Sequence, residues 1–278
     1  MSNLLFIDDF FLDQVVGGGE LNNAELIFNL VKNGWNVLKK QSHLVDSKSL
    51  HEVDAILVSN FSNLQNKTIN DISNGKKPYI IYEHDHKYIR SRNPAIYKNF
   101  IAPKSEIINF DFYKNANNVF CQSEFHEKIV KKNLNLDNIK NLSGNLWSDD
   151  HLELFKKYSS IEKKDKASII YAREAHKNTL GAEYFCKKNN IAYEIVSPDV
   201  PNQFYKNLSK NKHLIFFPKT PETLSRVAVE SRMMNMSLKT NNLVGATGEP
   251  WFKMKGEELI NYIYEKKVDI LRTVENAF

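Results

Sequence analysis

Short β-branched or apolar runs alternate with helix-patterned stretches along almost the whole chain, and this alternation constrains the fold more than any other feature. It is the pattern of parallel α/β units, in which each buried strand is followed by a helix that covers the sheet. Strands are expected at 3–9, 36–40, 55–59, 79–84, 118–123 and 138–144. The helix expected over 20–34 carries Leu21, Ala24, Ile27, Phe28 and Val31 at helical spacing, which predicts one buried face, and Gly34 ends it. Residues 160–166, SIEKKDK, are charged and lack periodicity, which makes them the expected linker.

After that stretch the alternation restarts. Strands are expected at 167–173, 192–197, 213–219 and 237–242, with helices near 178–189 and 202–210 and another from about Thr220. A long closing helix places Leu259, Ile260, Ile263, Tyr264, Ile270, Leu271, Val274 and Phe278 on one stripe. The expected architecture is α/β, with two doubly wound Rossmann-like domains facing a cleft. The first spans 1–160 and the second 161–278, with the last helix able to pack back toward the first domain. Open parallel sheets bind ligands beyond the carboxyl ends of their strands, so each strand-to-helix loop is a place to look for chemistry.

Composition narrows the function classes. A chain of 278 residues with 42% hydrophobic and 26% charged residues is long enough for two cores and has the balance of a soluble protein. No apolar run reaches the length of a membrane span, and the N-terminus carries acids where a leader would carry bases, so a cytoplasmic location without stable membrane insertion is expected. Cys121 and Cys186 stand far apart without CxxC spacing, against a disulfide framework or a zinc site. The net charge of +5 comes from scattered pairs such as Lys131/Lys132 and Lys266/Lys267. That spread fits a solvated surface, or attraction to phosphate-bearing ligands or an anionic inner membrane face. No nucleic-acid-binding signature is present, so nucleic acid is not an expected partner.

Four constellations carry candidate chemistry, each with a plainer alternative. Gly17-Gly18-Gly19-Glu20 follows the first strand and opens a helix, where glycines let backbone N–H groups approach an anion or a sugar. It lacks the GxGxxG fingerprint and could simply permit a turn. Arg173 and Lys177 follow strand 167–173 and could grip a diphosphate, as a fork and a point charge, or be surface bases, with Glu174 able to occupy Arg173. Glu222 and Glu230 stand eight positions apart. With Thr220 as N-cap and Pro221 at the first helical position they would lie about 12 Å apart along one helix. Spaced i, i+4, i+8 with Arg226, they could be an exposed ion-pair ladder, or two carboxylates accepting hydrogen bonds from sugar hydroxyls. His84-Asp85-His86 stands at another strand end; a third metal ligand at recognisable spacing is missing, and a polar site histidine is the plainer reading.

The order of these features resembles the group 1 family of retaining glycosyltransferases with the GT-B fold. The resemblance implies that Arg173 and Lys177 bind the diphosphate of a nucleotide-sugar donor and that Glu230 holds its ribose. Glu222 would contact the donor sugar near the reacting carbon and His84 would contact the same sugar, both as catalytic residues. Gly18 and Gly19 would match the N-terminal glycine loop, and Ser225 would join the donor-binding set. No metal or other cofactor is implied, because the nucleotide-sugar is a substrate. The implied activity is hexosyl transfer to an acceptor the sequence does not identify, whether glycan, lipid-linked sugar or small molecule. A sugar-nucleotide epimerase and a non-catalytic sugar- or nucleic-acid-binding protein on the same fold are the alternatives. Two departures stand out: Leu224, Ser225 and Arg226 replace the family's Phe-Gly-Leu, and Arg173 and Lys177 are four apart where five is more common.

Overall fold

The computed structural model describes residues 2–198 and 201–278. The chain divides into two compact units, the first comprising residues up to Trp147 together with Lys267–Phe278, the second Ser148–Lys266. Among the described residues each unit is built on a single parallel sheet.

In the first unit the order is β1 (Asn3–Asp8), α1 (Gly18–Lys32), β2 (Asn36–Gln41), α2 (Ser47–His51), β3 (Ala55–Val58), α3 (Asn66–Ser73), β4 (Tyr79–Tyr82), α4 (Phe110–Asn115), β5 (Asn118–Cys121), α5 (Glu124–Leu134) and β6 (Ile139–Asn141). The strands lie side by side as β2-β1-β3-β4-β5-β6. Because strand side chains alternate between faces, Leu5 and Ile7 of β1 enter one core while Leu4 and Phe6 enter the other. Both faces are covered, so the strands read as continuous apolar runs.

The second unit contains α6 (Asp149–Ser159), β7 (Lys164–Ile170), α7 (Thr179–Lys188), β8 (Tyr193–Val196), α8 (Pro201–Leu208), β9 (Asn211–Phe216), α9 (Arg226–Met233) and β10 (Ser237–Thr240). Its sheet runs β10-β9-β7-β8. Helix α10 (Gly256–Glu275) begins in this unit and ends in the first, where Ile270, Leu271 and Val274 join the core of Leu4, Phe6 and Leu26. Tyr264, expected on its apolar stripe, is 54% exposed.

Three local expectations need correction. The stretch 160–166 is not a free linker, because Lys164 already pairs with Asn211 at the start of β7. The units instead divide ahead of α6. On α1, Phe28 and Val31 are 61% and 53% exposed, and the buried residues are Asn22, Asn23, Glu25, Leu26, Asn29 and Leu30. Helical periodicity found Ile27, which packs against the core, but the buried side of α1 sets Leu26 and Leu30 beside a hydrogen-bonded polar seam. Asn29 donates to Glu25, which receives Lys267 at 3.2 Å, and Asn22 accepts from the Leu146 N–H. The third correction concerns the start of α9 and is taken up with the site. Both cysteines are free and buried, and no helix among the described residues is long and apolar enough to cross a membrane.

Candidate functional site

The two sheets share an order. Numbered within each unit, their first four strands lie 2-1-3-4, so the strand order reverses beside the first strand: at β1/β3 in one unit and β7/β9 in the other. Crevices outside the carboxyl ends of strands at such points are where doubly wound sheets bind ligands.

In the second unit, the loop after β7 and the loop after β9 are tied together. Lys219 N–H donates to the His176 carbonyl at 2.7 Å, and Asn178 donates to the Phe217 carbonyl at 2.8 Å. Arg173 is exposed in the first of these loops and has no ion pair, with Glu174 or any other acid, among the described residues. Lys177 reaches across to Glu222, Nζ to Oε1 2.8 Å, so one expected cation and one expected acid do come together. Glu222 does not lie on a helix, however. Its N–H donates to the Leu243 carbonyl and its own carbonyl accepts from Gly245 N–H, which makes a parallel bridge with Val244. With its backbone groups engaged sideways, the segment cannot continue as helix, and α9 starts only at Arg226.

Ser225 adopts φ 74° at the N-cap of α9, and no side chain caps the helix there. Among the described residues the buried Ser225 hydroxyl has no hydrogen-bond partner. An uncapped helix end carries positive potential from its unpaired N–H groups, so this loop offers a built position for an anion. One turn on, Arg226 and Glu230 form an i,i+4 ion pair, Nε to Oε1 3.3 Å, at 8% and 3% exposure. That burial excludes the exposed ladder. It also closes Glu230 against α9 and Tyr205 of α8, whose hydroxyl is pushed up by burial and by the Glu230 carboxylate. Glu230 is thereby closed off from solvent by its pairing with Arg226.

In the first unit, Gly18 and Gly19 open α1, and a Cβ on Gly19 would stand 3.6 Å from both the His84 ring and Asn60. Gly19, Asn60 and His84 are therefore neighbours beyond the carboxyl ends of β1, β3 and β4. Sequence reasoning passed over the network that holds them. Asn23 donates to Asp8 at 2.5 Å and to Ser59 at 2.7 Å, and its Oδ1 faces His84 Nε2 at 2.8 Å. Gln122, which also donates to the Glu83 carbonyl, faces His84 Nδ1 at 2.5 Å. With Asn23 oriented by Asp8, His84 Nε2 carries the proton and Nδ1 accepts, which fixes a neutral imidazole stacked on Tyr82. Burial pushes the Asp8 carboxyl up to about 6. Burial also raises Glu20, in the first turn of α1. The signal that could have found this network was Asp8-Asp9, two acids ending an otherwise apolar strand.

The basic, aromatic loop 87–100 is anchored from below. Lys87, 3% exposed, lies 2.8 Å from Asp85 and 3.4 Å from Glu83, and Tyr113 donates to Glu83. Burial pulls Asp85 upward, but Lys87 and Arg92 hold it down at about 2. Arg92 is thus committed to Asp85, while Arg90 and Lys98 are exposed.

No protein-family profile and no curated protein sequence matches this chain. Solved structures do. HepE (Alr3699) of Anabaena, crystallised with UDP and glucose, is 13% identical with a TM-score of 0.53 over 100% of this chain and 92% of its own. An alpha-glucosyltransferase, in complex with UDP and a 13-mer DNA containing a HMU base, is 12% identical with a TM-score of 0.53, over 97% and 95%. The catalytic domain of starch synthase IV from Arabidopsis thaliana, bound to ADP and acarbose, is 9% identical with a TM-score of 0.56, over 99% and 95%. The chain has the GT-B fold. At these identities the likeness concerns architecture, and the GT-B fold by itself leaves the chemistry to be argued from the side chains.

Proposed function

We propose that this GT-B chain is a glycosyltransferase that takes a sugar from a nucleoside diphosphate donor held at the strand ends of the second unit. The observation that carries the reading is the meeting of Lys177, Glu222 and the uncapped, Ser225-led start of α9 on two tied loops, with exposed Arg173 on the first of them. Three structural neighbours were crystallised with UDP or ADP, which supports the same donor class here.

In this reading Arg173 grips the diphosphate as a fork and Lys177 as a point charge, while Ser225 and the α9 N-terminus take a phosphate oxygen. Lys177 has to leave Glu222 to do so. The exchange frees the Glu222 carboxylate to accept from a sugar hydroxyl, so donor binding arms the acid. Departure of the diphosphate breaks the C1–O bond with its electron pair going to phosphate, and the fixed cations stabilise the negative charge that develops. An acceptor hydroxyl bonds to C1 from the same face, and its proton passes to the departing phosphate oxygen, which gives retention. No step requires a metal. Gly18 and Gly19 leave room for the acceptor's approach beside His84. His84, with both ring nitrogens engaged, acts as a positioning residue rather than a base. Glu230 holds Arg226 at the start of α9; the ribose contact is retained for a state in which Arg226 has moved.

The experiment is incubation with UDP-, ADP-, GDP- and dTDP-sugars, followed by nucleotide release and product analysis with and without acceptor. Acceptor-dependent release of one nucleoside diphosphate supports transfer. Conversion of donor to a changed free sugar without acceptor would instead identify an epimerase. Nucleotide binding without turnover under any acceptor would leave a binding protein.

A further inference from the structure

Beside the glycine loop, the first unit contains a groove of about 550 Å³ that the donor chemistry does not use. Its walls are Phe10, Ile27 and Phe28, with Asp8 and Glu20 at the strand end and Lys39 across from them. Phe10 and Phe28 are 44% and 61% exposed, so two aromatic rings stand open to water on either side of a concave surface. Ile27 is half-buried against the core, and Phe28 beside it on α1 projects outward. Large exposed aromatics in a groove of ligand size, converging with a few polar groups, are the composition of a small-molecule site.

We infer that this groove seats the acceptor, and that the acceptor is an uncharged hydroxyl compound with an aromatic or other apolar body rather than a phosphorylated sugar or a nucleic acid. The inference rests on the transferase reading and names its second substrate class. Charge decides between the classes. A phosphate entering at the strand end would meet Glu20 and the exposed Asp13, with the buried Asp8 behind them, against Lys39 alone. Lys39 lies 5.2 Å from the Phe11 ring centroid, where it covers apolar surface. A hydroxyl at the same place donates to the Glu20 carboxylate. In the base-rich loop 87–100, Lys87 and Arg92 are paired with Asp85, and neither Arg90 nor Lys98 lines this groove.

The test is calorimetric titration of the full chain with phenyl β-D-glucopyranoside, methyl β-D-glucopyranoside, glucose 6-phosphate and a 13-mer single-stranded DNA. The expected result is phenyl glucoside binding at least tenfold tighter than each of the other three. Phe28→Ser, at an exposed position where the fold survives, should remove that advantage while UDP and ADP titrations stay as in the wild type. Glu20→Gln should bring glucose 6-phosphate within about threefold of methyl glucoside. Preference for glucose 6-phosphate or DNA would overturn the inference, as would a phenyl advantage that Phe28→Ser leaves intact. So would binding to phosphatidylcholine vesicles, lost in Phe28→Ser, without any phenyl advantage, because the groove would then serve a lipid surface. A wild type that binds neither UDP nor ADP but keeps the phenyl advantage would defeat the donor reading, and with it the acceptor role, while the groove's preference for apolar hydroxyl compounds would stand.

Discussion

The two sheets lay their first four strands in the same order, yet the ends of their first strands carry opposite charge. At and beyond the end of β1 stand Asp8, Asp9, Asp13 and Glu20; beyond β7 stand Arg173, His176 and Lys177 with one acid, Glu174, and Lys219 from the neighbouring loop. The acids of the first unit are absorbed into hydrogen bonds: Asp8 with Asn23, and Asp9 with Ser42 and the N–H groups of Ser62 and Asn63. Those of the second are fewer and serve to hold cations, Glu222 on Lys177 and Glu230 on Arg226. One backbone plan therefore carries acids at one strand end and bases at the other, the contrast on which the proposed division between a hydroxyl-binding and a phosphate-binding end rests.

The largest test of this contrast is Arg226→Ala. Removing one partner of a buried ion pair leaves Glu230 uncompensated and should cost about 3–5 kcal/mol in a urea titration. A cost of a few tenths, as for exposed helix pairs, would mean the pair is not buried and the second unit has no fixed charge at this helix start.

Next comes Asp8. Its proton is bound more tightly in the fold than in the unfolded chain, near 6 against 3.8, so its contribution is complete below pH 3.8 and is lost as pH rises through 6. Relative to Asp8→Asn, the wild type should lose about 2 kcal/mol of unfolding free energy between pH 4 and pH 7. Parallel stability curves for the two proteins would show that Asp8 is solvated and the acidic end of the first unit is ordinary surface.

A smaller effect separates the roles of Glu222. If it must release Lys177 to the diphosphate, Glu222→Gln should tighten UDP or ADP binding about threefold, under 1 kcal/mol, while slowing transfer. Weaker binding of the bare nucleotide would show that Glu222 contacts the nucleotide itself, and the exchange would be discarded.

Much of this was legible in the sequence, and the losses have identifiable causes. Strand positions held because buried parallel strands read as apolar runs whatever surrounds them: Ala55–Val58 and Tyr79–Tyr82 are buried throughout. The inward face of α1 was missed because Asn22, Asn23 and Glu25 pair with groups distant in sequence, Asn29 is satisfied by Glu25, and periodicity scores only apolar positions. The start of α9 was missed because Pro221 is an acceptable first helical residue, while the bridge from Glu222 to Val244 that stops the helix joins residues twenty-two positions apart. The same long reach hid the Lys177–Glu222 contact: residue types were visible, their pairing was not.

The central claim is that the strand ends of the second unit bind a nucleoside diphosphate through Arg173 and Lys177. Calorimetric titration of wild type and the Arg173→Ala/Lys177→Ala double variant with UDP, ADP and GDP, each beside its nucleoside, tests it directly. The account predicts that one diphosphate binds the wild type well above its nucleoside and that the double variant loses about thirtyfold or more, roughly 2 kcal/mol, for the diphosphate alone. Equal affinity in the two proteins, or no difference between diphosphate and nucleoside, would contradict it.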